Sequence, residues 1–231
     1  MDHIMTIMKK QIKDTLKNKE VLIQFVMFPV LSIIMTQAIR IEGMPENFFV
    51  TLFASMYIGM APLTCVSAII SEEKEKNTLR VLMMADVTPW QYLAGTGAYV
   101  FAACILGGAV FCGLLEGVTF VQRLFFLLIM SAGIAASIVL GAAIGVGSRN
   151  QMAATSVTVP VMLVFSFLPM LSMFNERIEK VAGLTYTEQI RILTGGLGSG
   201  GDHTQSVVII LLNIIAFGVI FSVLYRKRGL A

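Results

Sequence analysis

The chain has 231 residues, of which 56% are hydrophobic and 13% charged, with a formal net charge of +3. Ordinary soluble domains carry roughly 25% charged residues, and a chain this apolar cannot hide its surface in one aqueous core. The basic residues sit at the borders of apolar runs with no aromatic platform between them, which argues against a nucleic-acid partner.

Six stretches contain no Asp, Glu, Lys or Arg: Val21–Ile39, Asn47–Ser71, Val87–Leu115, Leu124–Ser148, Asn150–Asn175 and His203–Tyr225. Each meets or nearly meets the ~20 residues a helix needs to cross about 30 Å of hydrocarbon. None shows the ~10-residue alternation of membrane-barrel strands. The sequence therefore predicts an all-α integral membrane protein with six transmembrane helices, one domain over residues 1–231. With the N-terminus cytoplasmic, twelve Lys and Arg fall on the inner side and five (Arg40, Arg123, Arg177, Lys180, Arg191) on the outer. That bias places both termini in the cytoplasm of a multi-pass cell-membrane protein.

Residues 1–20 precede the first span. At 100° per residue, Ile4, Met5, Ile7, Met8, Ile12 and Leu16 cluster on one arc and Lys9, Lys10, Lys13, Asp14 and Lys17 on the other. A short, basic, amphipathic helix beside a span belongs in the membrane interface, with lysines toward anionic lipid heads. The first apolar run lacks a small-x-small cleavage site, so it reads as an uncleaved anchor. It carries Gln24, Pro29 and Gln37; the second carries Pro62. In the fourth, Gly141 and Gly145 form a G-x-x-x-G pair, read as packing within the chain ahead of a dimer face. The fifth has Pro160 and Pro169 with Ser166 between them, and a proline-broken membrane helix can line a pathway. Gln24, Gln37, Ser166 and Pro169 are the candidate path positions.

Outer loops are short except for residues 175–202. There Thr185-Tyr-Thr-Glu188 has the form of a capping box opening a helix that ends at Gly195-Gly196. The glycine run through Gly201 reads as a flexible connector. Cys65, Cys104 and Cys112 all fall inside spans, an odd number that argues for packing over disulfides. His3 and His203 give no metal-ligand spacing.

The exception to the apolar pattern is residues 71–90, where seven charged residues separate the second and third spans. Glu72 and Lys76 are spaced i,i+4 in the helix-supporting order. As part of a solvated helix, Glu72, Glu73 and Glu75 have no burial to tune them for acid/base work. No Ser/His/Asp, Cys/His or HExxH arrangement occurs, so an enzyme reading is disfavoured. The spans hold no acid or base to couple transport to protons or ions. The chain also lacks a Walker A sequence of its own.

Glu72-Glu-Lys-Glu-Lys-Asn-Thr-Leu-Arg-Val-Leu82, followed by Val87-Thr-Pro89 and a span starting near Tyr92, resembles the ABC-2-type permease pattern. In that family an E-K-E-x-G/N-T-L-x-x-L segment follows the second span, and Asn77 stands where Gly is common. The resemblance extends to the N-terminal amphipathic elbow, six spans and a larger outer segment before the last span. It implies a cytoplasmic coupling helix in which Glu72, Glu73, Lys74, Glu75, Lys76, Thr78, Leu79, Arg80 and Leu82 dock on a separate ATP-binding cassette subunit. ATP and Mg would then be bound by that subunit, with no cofactor on this chain. A second permease copy and membrane lipid complete the implied partners, and the implied cargo is a drug, antimicrobial peptide or lipid-like molecule moving outward. The alternative is a non-transporting immunity or sensor subunit that holds a cytosolic regulatory partner through the same loop.

Overall fold

The computed structural model describes residues 2–17, 19–39, 43, 45–197 and 203–228, with the side chains of residues 2, 3, 16, 17 and 19–21 outside that description. The glycine connector 198–201, most of the 40–46 link and the lipid-facing roles read for Leu16 and Lys17 therefore lie outside the described residues. The elements are α1 (Asp2–Lys17), α2 (Lys19–Ala38), α3 (Phe48–Glu75), α4 (Thr78–Met84) and α5 (Pro89–Leu114). They continue with α6 (Phe120–Gly147), α7 (Gln151–Ser172), α8 (Glu176–Ala182), α9 (Tyr186–Gly195) and α10 (Thr204–Arg228). No strand occurs among the described residues.

Five helices, α3, α5, α6, α7 and α10, are long and apolar enough to cross a membrane. The described apolar part of α2, Leu22–Ala38, is shorter than these. Among the described residues, five of the six predicted spans therefore meet both measures. Local chemistry sets several helix starts. Thr88 opens α5 with Pro89 in the first turn, and its Oγ1 accepts from the Gln91 amide at 3.3 Å while Gln91 Oε1 accepts from the Thr88 amide at 2.9 Å. Thr119 and Gln122 repeat this capping box at α6, and Asn150 Oδ1 accepts from the Ala153 amide at 2.9 Å to open α7. Each arrangement satisfies amide donors that a helix start leaves free. The T-x-x-Q spacing of both boxes is plain in the sequence but was not read from it.

Most of α3 is buried, enclosed by α2, α5, α6 and α7. Small residues make that possible. On α6, Gly133, Ser137, Gly141 and Gly145 recur every fourth position and so share one face. A Cβ at Gly141 would lie 2.4 Å from the Leu63 carbonyl oxygen, and one at Gly145 would lie 2.8 Å from Ile70 Cβ. The G-x-x-x-G pair therefore packs α6 on α3 within the chain, as expected. Ser137 adds a hydrogen bond from Oγ to the Ile58 carbonyl at 2.6 Å. On the other flank, Ser67 and Thr158 share a hydroxyl hydrogen bond at 2.8 Å. A Cβ at Gly59 would lie 2.8 Å from the Phe165 carbonyl, the group that Pro169 leaves without its helical donor.

The helix read between Thr185 and Gly195 forms as α9, and it buries Tyr186, Thr187, Glu188, Gln189, Ile190, Leu193 and Thr194. Tyr186 packs its ring on Phe165 and Phe217 at centroid distances of 5.1 and 5.8 Å, and its hydroxyl meets Ser137 Oγ at 2.6 Å. The capping box read at Thr185–Glu188 does not form. Thr185 is the N-cap without a side-chain cap bond; its hydroxyl donates to the Ala182 carbonyl at 2.7 Å. Glu188 instead takes a bidentate bond from Arg191, at 2.6 and 2.9 Å.

Candidate functional site

The charged run forms the last turn of α3 and the turn into α4. Its residues have separate tasks. Glu72 and Lys76 make the expected i,i+4 ion pair on the surface. That hydrogen bond, followed by the carboxylate's charge, raises the Lys76 pKa.

Glu73 points inward. It is 7% exposed, and its Oε1 accepts from Lys10 Nζ and, at 2.9 Å, from Gln11 Nε2. The sequence reading left all three carboxylates of the run in solvent. Glu73 departs from it because α1 lies against α5 and covers the end of α3. Gly95 permits that approach, since a Cβ there would sit 3.0 Å from Ile7 Cβ. The side of α1 turned inward is Ile7, Gln11 and Thr15, all buried, whereas Met5 and Ile12 face outward. The predicted apolar arc is thus divided between the protein and the surroundings. Lys10 and Gln11 were missed as site residues. The available signal was the i, i+4, i+8 phase of Ile7, Gln11 and Thr15, which places two polar residues in line with an apolar one.

The next two residues hold the α6–α7 turn. Lys74 Nζ donates to the Val146 carbonyl at 3.0 Å, one of the last carbonyls of α6. Glu75 Oε2 accepts from the amide of Gln151 at 2.8 Å, the first residue of α7. A cation at a helix C-terminus and an anion at a helix N-terminus each oppose the local end of the helix dipole. Lys74 and Glu75 also bond groups that the helix geometry leaves without partners.

Asn77 turns the chain with φ +55°. Asn is one of the few residues other than Gly that enter this left-handed region readily, so the Gly-to-Asn difference from the family pattern preserves the turn. Thr78 Oγ1 donates to the Glu73 carbonyl at 3.1 Å and fixes the start of α4. Leu79, 1% exposed, anchors α4 to the bundle, and Val87 does the same beyond its end. Arg80, Val81 and Met84 are exposed, Met84 at 80%. Nearby on α5, Trp90 is 75% exposed.

The nine positions read as docking residues are therefore brought together but do not form one face. Glu73 and Leu79 lie inside the chain; Glu72, Lys74, Thr78 and Leu82 are half-buried; Glu75, Lys76 and Arg80 are exposed. The sequence reading did not single out Met84 or Trp90.

The four path positions are not brought together. Gln24 Oε1 accepts from Thr64 Oγ1 at 2.5 Å, joining α2 to α3. Ser166 is buried with its hydroxyl donating to the Met56 carbonyl at 3.0 Å, joining α7 to α3. Pro169 is buried and Gln37 is exposed. An open cleft of about 650 Å³ does exist beside the charged run, lined by Glu75, Gln151, Met152, Thr155, Ser156, Val159 and Pro160. The hydroxyls of Thr155 and Ser156 bond back to the carbonyls four residues earlier, both at 2.9 Å.

Among the described residues no group of three or more His, Cys, Asp or Glu is placed to hold a metal ion. Cys65, Cys104 and Cys112 are free and buried. The family model for the ABC-2 family transporter protein matches residues 2–194. No curated protein matches the chain.

Proposed function

The chain belongs to the ABC-2 transporter family, and from that premise we propose that it is the permease subunit of an ATP-driven exporter, energised by a separate cytosolic ATP-binding subunit. In this reading α4 is the coupling helix, α1 the interfacial elbow, and α2 the sixth span. Both termini are cytoplasmic, and α8–α9 faces outward. ATP and Mg belong to the partner. A second copy of the chain completes the transporter.

One observation carries the reading: α4 shows Arg80, Val81 and Met84 to the outside while Leu79 and Val87 pin it to the bundle. A helix that is fixed on one face and exposes a mixed basic and apolar surface on the other is suited to a groove on a soluble subunit. Glu73, Lys74, Glu75 and Leu79, whose side chains bond or pack within the chain, pass from the docking set to its support, and Met84 joins the docking set.

The cargo is proposed to be amphipathic or apolar. Gln24, Ser166 and Pro169 are committed to packing, so cargo contact is assigned to the open face of α7 at Gln151, Thr155 and Ser156, next to the 650 Å³ cleft. The experiment is co-purification with a cognate ATP-binding subunit, followed by ATP-dependent export from loaded vesicles. Arg80→Glu combined with Val81→Asp should abolish the complex while leaving the permease folded, because both side chains are exposed. If the double variant retains a full complex and normal export, the docking assignment fails.

A further inference from the structure

Three consecutive residues at the root of α4 each grip a different helix. Glu73 takes Lys10 and Gln11 of α1, Lys74 takes the last turn of α6 through the Val146 carbonyl, and Glu75 takes the first amide of α7 through Gln151. The three side chains alternate in charge, and each charge suits its partner. The carboxylate of Glu73 meets an ammonium, the ammonium of Lys74 meets a helix C-terminus, and the carboxylate of Glu75 meets a helix N-terminus. Thr78 closes the arrangement by bonding the Glu73 carbonyl from the first turn of α4.

Such a root contributes little to a docking surface, since Glu73 is buried, Lys74 is half-buried and the carboxylate of the exposed Glu75 is held by the Gln151 amide. Its geometry suits distribution. A displacement of α4 reaches α1 through a part-buried ion pair and the α6–α7 turn through two charged hydrogen bonds, without passing through the apolar core. The short bonded path also avoids the small-residue contacts that fix α3 to α6.

Resting on the reading of α4 as a coupling helix, we infer that Glu73, Lys74 and Glu75 are positioning residues that transmit its movement separately to α1 and to α7, where the cleft lies. Lys74, bonded to the last turn of α6, and Glu75, bonded to the first amide of α7, form the branch to α7 through the α6–α7 turn; Glu73 forms the branch to α1. Loss of one branch uncouples its own target while the ATP-binding subunit still docks and turns over ATP.

The native cysteines are buried, so a single environment-sensitive fluorophore can be placed through Met152→Cys, at an exposed position in the first turn of α7. The full chain is purified with its ATP-binding subunit, and the label is followed on adding ATP with vanadate. The unaltered root should give a clear shift. Lys74→Met with Glu75→Ala should reduce it about tenfold, at the upper range for coupling changes by residues that touch neither ligand, with subunit binding and ATP hydrolysis retained. Lys74→Arg with Glu75→Asp should restore most of the shift. Glu73→Gln, which keeps the side-chain shape, should leave the Met152→Cys response intact and diminish that of a label at Ile12→Cys on the outward face of α1. An undiminished response in Lys74→Met with Glu75→Ala, with a stable complex, overturns the inference. A chain that binds no ATP-binding subunit overturns the reading beneath it.

Discussion

The two ends of the bundle each bury a glutamate against a basic residue, yet the two pairs serve different purposes. At the α9 end, Glu188 is paired with Arg191 one turn along the same helix. At the α4 end, Glu73 is paired with Lys10, 63 positions away on another helix. The local pair lets α9 enter the bundle without leaving a carboxylate unmatched. The long-range pair ties α1 to the base of the charged loop. Identical chemistry therefore neutralises one element in the first case and links two elements in the second, and only the second can carry movement between them.

Perturbation of the pairs should separate these roles. Arg191→Met leaves Glu188 buried without its charge partner, and breaking a pair of this kind costs about 3–5 kcal/mol. Thermal unfolding of the purified protein should show this loss, with hydrogen exchange in α1 unaltered below the melting point. Lys10→Met is predicted to cost less, about 1–3 kcal/mol, because Gln11 still donates to Glu73. Its signature is local: amides of α1 should exchange faster while those of α9 stay protected. Equal loosening of both regions by either substitution would remove the distinction between the two pairs.

The turn between the root and α4 should respond to backbone conformation. Asn77→Gly should be almost silent, whereas Asn77→Val, forced to φ +55°, should lose about 1–2 kcal/mol in the same melt. The smallest effect belongs to the surface pair. Lys76→Ala should change stability by no more than about 0.5 kcal/mol, and any effect it has should appear in subunit binding.

Much of the architecture was legible in the sequence because it depends on local composition. Charge-free runs located the long helices, and the Gly141 and Gly145 spacing identified a close helix contact that the structure places against Leu63 and Ile70. The charged run was recognisable by type and position. Its internal division was not, because the partners of Glu73, Lys74 and Glu75 lie on α1, α6 and α7, far away in sequence. Two of those partners are a backbone carbonyl and a backbone amide, which no side-chain pattern announces. The candidate path positions, which the structure leaves apart, were hard to read for a related reason. Polar groups such as Gln24 and Ser166 are as useful for joining membrane helices as for lining a passage, and composition does not distinguish the two uses. The Thr185–Glu188 box failed because Arg191, one turn further on, offered Glu188 a charged partner.

The central assignment, that the outer face of α4 receives the ATP-binding subunit, is tested most directly by site-specific photo-crosslinking in cells. A crosslinking side chain at Met84, 80% exposed on α4, is compared with one at Phe174, 81% exposed near α8 at the opposite end. The account predicts an adduct with the ATP-binding subunit from Met84 and none from Phe174. An intact complex that yields the adduct from Phe174 and not from Met84 would contradict it.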